Sequence, residues 1–146
     1  MTDAGCVMCG KYGATGPLLI AELETARAFL HEDQFFPGYV LLVLRRHATE
    51  LYELAAGERR AHLEEVSRVA QALARAFQPV KMNYELLGNQ VPHIHWHLVP
   101  RLATDPDVRS PIWRVDHRPA PLAPAAARER IERIQRALAV SVGRHG

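Results

Sequence analysis

The sequence predicts an α+β domain built on a mainly antiparallel sheet. Three observations carry that prediction. Short apolar runs separated by turn residues fill the first part of the 146-residue chain. Two longer segments, 58–77 and 124–140, repeat apolar residues at spacings of three and four, the period of a helix with one buried face. The run Pro92-His-Ile-His-Trp-His-Leu-Val-Pro100 alternates imidazole with large apolar side chains, the period of a strand with one buried face.

The elements follow in order. Residues 18–23 and 26–30 read as two short strands, with a hairpin turn near Glu24-Thr25. Pro37-Gly38 is a turn signal. Residues 39–44, Tyr-Val-Leu-Leu-Val-Leu, form a continuous apolar run that suits a central strand covered on both faces. Helix 58–77 carries its stripe on Leu63, Val66, Ala70, Leu73 and Phe77, and Pro79 stops it. Residues 80–87 and 92–99 read as an antiparallel hairpin across the Gly88-Asn89 turn. Residues 102–122 carry Pro106, Pro111, Pro119 and Pro121 without periodicity, and a loop of that length in a small domain serves a site or an interface. Trp113 in that loop has two readings, an aromatic docked on a partner or ligand, or a cover for the protein's own core. Pro124 suits the first turn of a C-terminal helix over 124–140, with Ala127, Ile131, Ile134 and Leu138 facing inward. The length suits a single domain spanning 1–146.

Composition narrows the partners. Hydrophobic residues at 48% and charged residues at 23% are those of a globular protein with a real core. A formal charge of +2, spread along the chain, is too small to argue for a nucleic-acid or membrane partner, and neither is expected. There is no apolar run of membrane length and no charged-then-apolar leader pattern, so the expected location is cytoplasmic. Cys6 and Cys9 are the two cysteines. In a reducing compartment a Cys-x-x-Cys pair reads as metal ligands or a redox pair rather than a structural disulfide.

The histidine run carries the chemistry. His93, His95 and His97 share one face of their strand, with neighbouring rings roughly 6–7 Å apart. Ile94, Trp96 and Leu98 point the other way, into a core. A row of imidazoles backed by an apolar row suits a site for an anion, a metal or both. His62, His117 and His145 stand outside any motif and are expected on the solvated surface.

This run resembles the signature of the histidine triad (HIT) superfamily: His, apolar, His, apolar, His, apolar, apolar. Phe36-Pro-Gly-Tyr39, Arg46-His47, Glu50-Leu51, Lys81-Met-Asn-Tyr84 and Leu87-Gly-Asn-Gln90 extend the likeness to bacterial members related to dinucleoside polyphosphate hydrolases. The resemblance implies a five-stranded antiparallel sheet with two main helices, and a homodimer. It implies an AMP-containing nucleotide substrate such as diadenosine tetraphosphate. His95 takes the place of the nucleophile that attacks the α-phosphorus and becomes nucleotidylated, with its second nitrogen held by a backbone carbonyl. His97 takes the place of a phosphate-binding residue that helps protonate the leaving group, and His93 completes the triad. Asn83, Asn89 and Gln90 take the places of phosphate and nucleotide contacts. The ribose contact falls near His31 and Asp33, and Asp33 is the preferred candidate. Related bacterial triad proteins and hexose-1-phosphate uridylyltransferases complete a zinc site with two histidines, which here gives Cys6, Cys9, His47 and His93 as ligands of a structural zinc. The resemblance leaves open a nucleoside phosphoramidase, a phosphorylase or nucleotidyl transferase using phosphate, and a nucleotide-binding module with little turnover.

Overall fold

The computed structural model describes residues 3–13 and 15–140. It contains strands β1 (Leu19–Glu22), β2 (Ala26–Leu30), β3 (Val40–Leu44), β4 (Lys81–Glu85) and β5 (His95–Arg101). The helices are α1 (Val7–Lys11), α2 (Ala56–Phe77) and α3 (Pro124–Val140). The strands form one sheet in the order β1-β2-β3-β5-β4, antiparallel at every pairing. After β3 the chain crosses through α2 to edge strand β4 and returns along β5, which lies between β4 and β3.

The two faces of this sheet have different jobs. On one face α2 and α3 bury Val66, Val69, Leu73, Ile131, Ile134 and Leu138 against Ile20, Leu30, Leu42 and Leu98. The other face carries Phe29, Leu41, Val43 and Val99, covered by Met8, Phe36, Tyr39 and Ile112 from short helical turns and loops. β3 is buried along its whole length, as its unbroken apolar run predicts. Each of its valines and leucines contributes roughly 1.5–3 kcal/mol of transfer free energy. With no large element over the second face, space remains there for a cleft.

Turn chemistry fixes the approach to β3. Gly38 has φ +86, and a Cβ there would lie 2.7 Å from the Phe77 ring at the end of α2. α2 itself ends where Gln78 turns left-handed (φ 49) and donates its N–H to the Ala74 carbonyl, with Pro79 following.

Several expectations are corrected. α1 is absent from the sequence reading, because five residues with a single buried position (Met8) show no period. Leu63, expected in the core stripe of α2, is 40% exposed. β5 begins at His95, so His93 precedes the strand. The 102–122 segment contains a helical turn at Ile112–Arg114. His62 is fully buried, not a solvated surface residue. Its Nε2 accepts the indole N–H of Trp96 at 3.0 Å, and its Nδ1 lies 2.9 Å from Thr25 Oγ1, whose hydroxyl donates to buried Glu65. This network satisfies the indole on the back of the histidine strand. His145 lies outside the described residues. No helix among the described residues is long and apolar enough to cross a membrane.

Candidate functional site

β5 places His95 and His97 opposite Val43 and Leu41 of β3, and His97 also opposite Glu85 of β4. The two imidazoles therefore share the face that the large helices leave uncovered. Their ring centroids are 5.1 Å apart. His95 Nδ1 lies 2.6 Å from the His93 carbonyl oxygen. A carbonyl only accepts, so Nδ1 carries the proton, and the neutral ring keeps its lone pair on Nε2.

His95 and His97 line a cleft of about 420 Å³. The turn around Gly88 (φ +72) brings Asn89 and Gln90 to the same cleft. Met8, Tyr12 and Leu41 give it an apolar side, and His31 and Trp113 close its rim. Trp113 is 56% exposed, meets His97 edge-on at 5.3 Å and donates its indole N–H to Glu85. Ile112 beside it is the residue that covers the core. His97 is further held by Tyr39, whose Oη lies 2.5 Å from Nδ1. Burial, helped by the neighbouring His95 and His31, pulls the His97 pKa down to about 4, so this ring is neutral near pH 7.

Three expected residues sit elsewhere. His93 does not line the cleft; its side chain turns toward the cysteines. Asn83 accepts a hydrogen bond from buried Arg101 at 3.2 Å and lines a neighbouring groove with residues 108–111. Asp33, preferred over His31 for a ribose contact, is not among the cleft residues. Its carboxylate accepts the N–H of Phe35 and Ala120, both at 2.9 Å, and the Nε2–H of His117 at 2.8 Å. Burial alone would raise its pKa, but these donors outweigh it and hold the carboxyl below its usual range. Through the same contact His117, expected on the open surface, titrates above its ordinary value although burial opposes this, and it stacks on Phe35 at 4.0 Å. The pair latches the proline-rich loop to the 31–36 loop. His31 is the residue that reaches the cleft. It stacks on Tyr39 at 4.0 Å, its Nδ1 accepts the Asp33 N–H, and burial lowers its pKa.

A second cluster abuts the first. Cys6, Cys9, His47 and His93 offer ligand atoms that all lie within 4.8 Å of one another. Cys6 Sγ is 3.4 Å and Cys9 Sγ 3.5 Å from His93 Nδ1, and Cys9 Sγ is 3.6 Å from His47 Nδ1. A tetrahedral zinc with ordinary bond lengths has sulfur–nitrogen edges of about 3.6 Å. His93 Nε2 donates to the Leu44 carbonyl at 2.8 Å, which leaves the Nδ1 lone pair facing the sulfurs. The Asp3 N–H donates to Cys9 Sγ at 3.5 Å, and Asp3 Oδ2 lies 3.9 Å from His47 Nε2. These four residues could hold a metal ion, and α1 brings Cys9 and, at its N-cap, Cys6 to the cluster.

Sequence reasoning missed Tyr39, which holds His97 without lining the cleft, and left Trp113 between two readings. Tyr39 was legible in principle: it precedes a central strand by one residue and takes the face of Leu41. Trp113 carried no such signal, since a proline-rich loop has no period to say where its aromatic points.

An antiparallel five-stranded sheet with alternating histidines on an inner strand defines the histidine triad class of proteins. The HIT domain family model matches residues 17–104, and the chain belongs to that family. It is 26% identical over 126 residues to the Protein hit of Bacillus subtilis, covering 80% of this chain and 86% of that one. A histidine triad protein from Sinorhizobium meliloti superposes with a TM-score of 0.76 at 27% identity, over 82% of this chain and 88% of its own. The asymmetrical bis(5'-nucleosyl)-tetraphosphatase of Schizosaccharomyces pombe is 26% identical over 95 residues, 62% of this chain and 52% of that enzyme, so the match spans about half of it. A zinc-bound histidine triad family protein from Mycobacterium smegmatis shares the fold, with a TM-score of 0.70 at 22% identity, over 94% of this chain and 96% of that one.

Proposed function

We propose that this protein is a nucleotidyl hydrolase that cleaves dinucleoside polyphosphates at the α-phosphate through a nucleotidyl-histidine intermediate on His95. One observation carries the reading: the hydrogen bond from His95 Nδ1 to the His93 carbonyl, which leaves Nε2 as a lone-pair donor in the cleft. A neutral imidazole so oriented is a competent nucleophile near neutral pH. Nε2 attacks the α-phosphorus, a phosphorus–nitrogen bond forms, and the bond to the bridging oxygen of the departing polyphosphate breaks. Water then attacks the same phosphorus and returns the electron pair to Nε2, releasing a nucleoside monophosphate. His97, Asn89 and Gln90 supply neutral donors for the charge that gathers on the phosphoryl oxygens. At a pKa of about 4, His97 serves as a hydrogen-bond donor rather than as an imidazolium. Apolar Met8 and Leu41 suit a base, and His31 is the side chain placed to meet a ribose. The tetraphosphatase activity of the fission yeast relative supports the substrate class.

We further assign Cys6, Cys9, His47 and His93 as the ligands of a structural zinc. Four protein ligands fill a tetrahedron and leave no open position for catalysis. When bound, the ion would fix His93, whose carbonyl orients His95.

Diadenosine tetraphosphate incubated with the protein should yield AMP and ATP, and the His95→Ala variant should lose at least a thousandfold in rate while keeping its fold. ADP and ATP formed only with added phosphate would make the protein a phosphorylase instead. Undiminished turnover in His95→Ala would overturn the covalent route, and no cleavage at all would overturn the substrate.

A further inference from the structure

The two cleft histidines are held by partners of opposite kind. His95 Nδ1 meets a carbonyl, which can only accept. His97 Nδ1 meets the phenol of Tyr39, which can do either. Burial decides which. Tyr39 is 4% exposed, and among the described residues its hydroxyl has no other hydrogen-bond partner. If His97 Nδ1–H donated to the phenol, the phenol's own proton would be buried with no acceptor, at a cost of about 1–3 kcal/mol. The hydroxyl therefore donates, and Nδ1 accepts. Burial also pushes the Tyr39 pKa up, so the phenol keeps its proton, while the low pKa of His97 keeps the ring neutral. A neutral ring with an accepting Nδ1 carries its proton on Nε2.

We propose that Tyr39 is a positioning residue that locks His97 in the Nε2–H tautomer, so that adjacent imidazoles of one strand present opposite functions to the cleft. His95 offers an Nε2 lone pair; His97 offers an Nε2–H. The nucleophile and the nearest donor for a phosphoryl oxygen are thereby made from the same side chain, differing only in what Nδ1 touches. Tyr39 itself is braced on its far side by the His31 ring at 4.0 Å and an interplanar angle of 6°. His97 is braced by the Trp113 edge. A flip of the His97 ring would put Cδ2 where Nδ1 meets the phenol and would lose that hydrogen bond. This inference rests on the phosphoryl-transfer reading for its consequence, but its structural claim stands apart from any substrate.

The test uses long-range proton–nitrogen correlation spectra of the full chain. In the wild type, His97 should show an unprotonated Nδ1 and a protonated Nε2, the reverse of His95. In Tyr39→Phe, which keeps the aromatic ring, His97 should shift to a tautomer mixture. With diadenosine tetraphosphate, Tyr39→Phe should then lower kcat about tenfold with KM changed less than twofold. A wild-type His97 protonated on Nδ1 would overturn the proposal, as would a Tyr39→Phe variant whose His97 nitrogens and kcat are both unchanged. If the protein cleaves no dinucleoside polyphosphate, the spectra of the two proteins still decide the tautomer claim, so the two failures are told apart.

Discussion

Single residues here are specified by what the second nitrogen or oxygen of a side chain touches. His93 has Nε2 on the Leu44 carbonyl and Nδ1 among thiols; His95 has Nδ1 on a carbonyl and Nε2 in the cleft. His62 is the same device used for packing, with Nε2 accepting from Trp96 and Nδ1 beside Thr25. Thr25→Val is isosteric and keeps the backbone bonds to Glu65, but it leaves the His62 Nδ1–H unpaired in the core. It should cost about 1–3 kcal/mol, read as a lower urea midpoint with an unchanged slope. An unshifted midpoint would mean that water replaces the hydroxyl. Legibility in the sequence divides along the same line. The alternation at His95 and His97 was readable because strand period fixes the face. His62, Asp33 and His117 were misplaced because their partners lie 37, 87 and 84 residues away, beyond any local pattern.

At the scale of elements, every strand and both long helices were legible, because each writes its burial into the chain, as a period or, for β3, as an unbroken apolar run. The short elements were not. α1 has five residues, too few to form a stable helix in isolation, and Met8 in the core cluster and the Lys11–Glu32 ion pair hold it rather than helix propensity. The four-residue cluster could add a second tie, from Cys6 and Cys9 to His47 and His93. The purified protein should carry one zinc per chain, and Cys9→Ser should lose it, lower the melting temperature and speed amide exchange over α1. A variant that keeps full zinc content and full protection would remove Cys9 from the ligand set. In the proline-rich segment, read as a loop serving a site or an interface, the helical turn is what escaped the sequence. Its helical turn at Ile112–Arg114 docks Ile112 in the core and leaves Trp113 at the cleft, while the Asp33–His117 pair ties its far end down.

For the whole molecule, buried neutral histidines set the response to acid. His31, His62 and His97 all titrate below their ordinary value because burial disfavours the charged ring. The unfolded chain binds their protons near pH 6.5, the folded protein only lower down, to about 4 for His97. Protons therefore favour unfolding in this window, and the stability these three rings contribute is present above pH 6.5 and falls as pH drops toward 4. Each group contributes at most ~1.4 kcal/mol per pH unit there. Urea midpoints at pH 7.5 and 5.0 should show the decline, and His97→Asn should decline less steeply than the wild type. Parallel declines would show that His97 is protonated equally in both states. The fold also separates its two indoles by role. Trp96 lies against the helical layer, hydrogen-bonded to His62, and Trp113 stands half open at the mouth of the cleft. The chain thus carries two optical reporters on opposite sides of one sheet, one whose emission follows the integrity of the core and one whose quenching follows what enters the cleft.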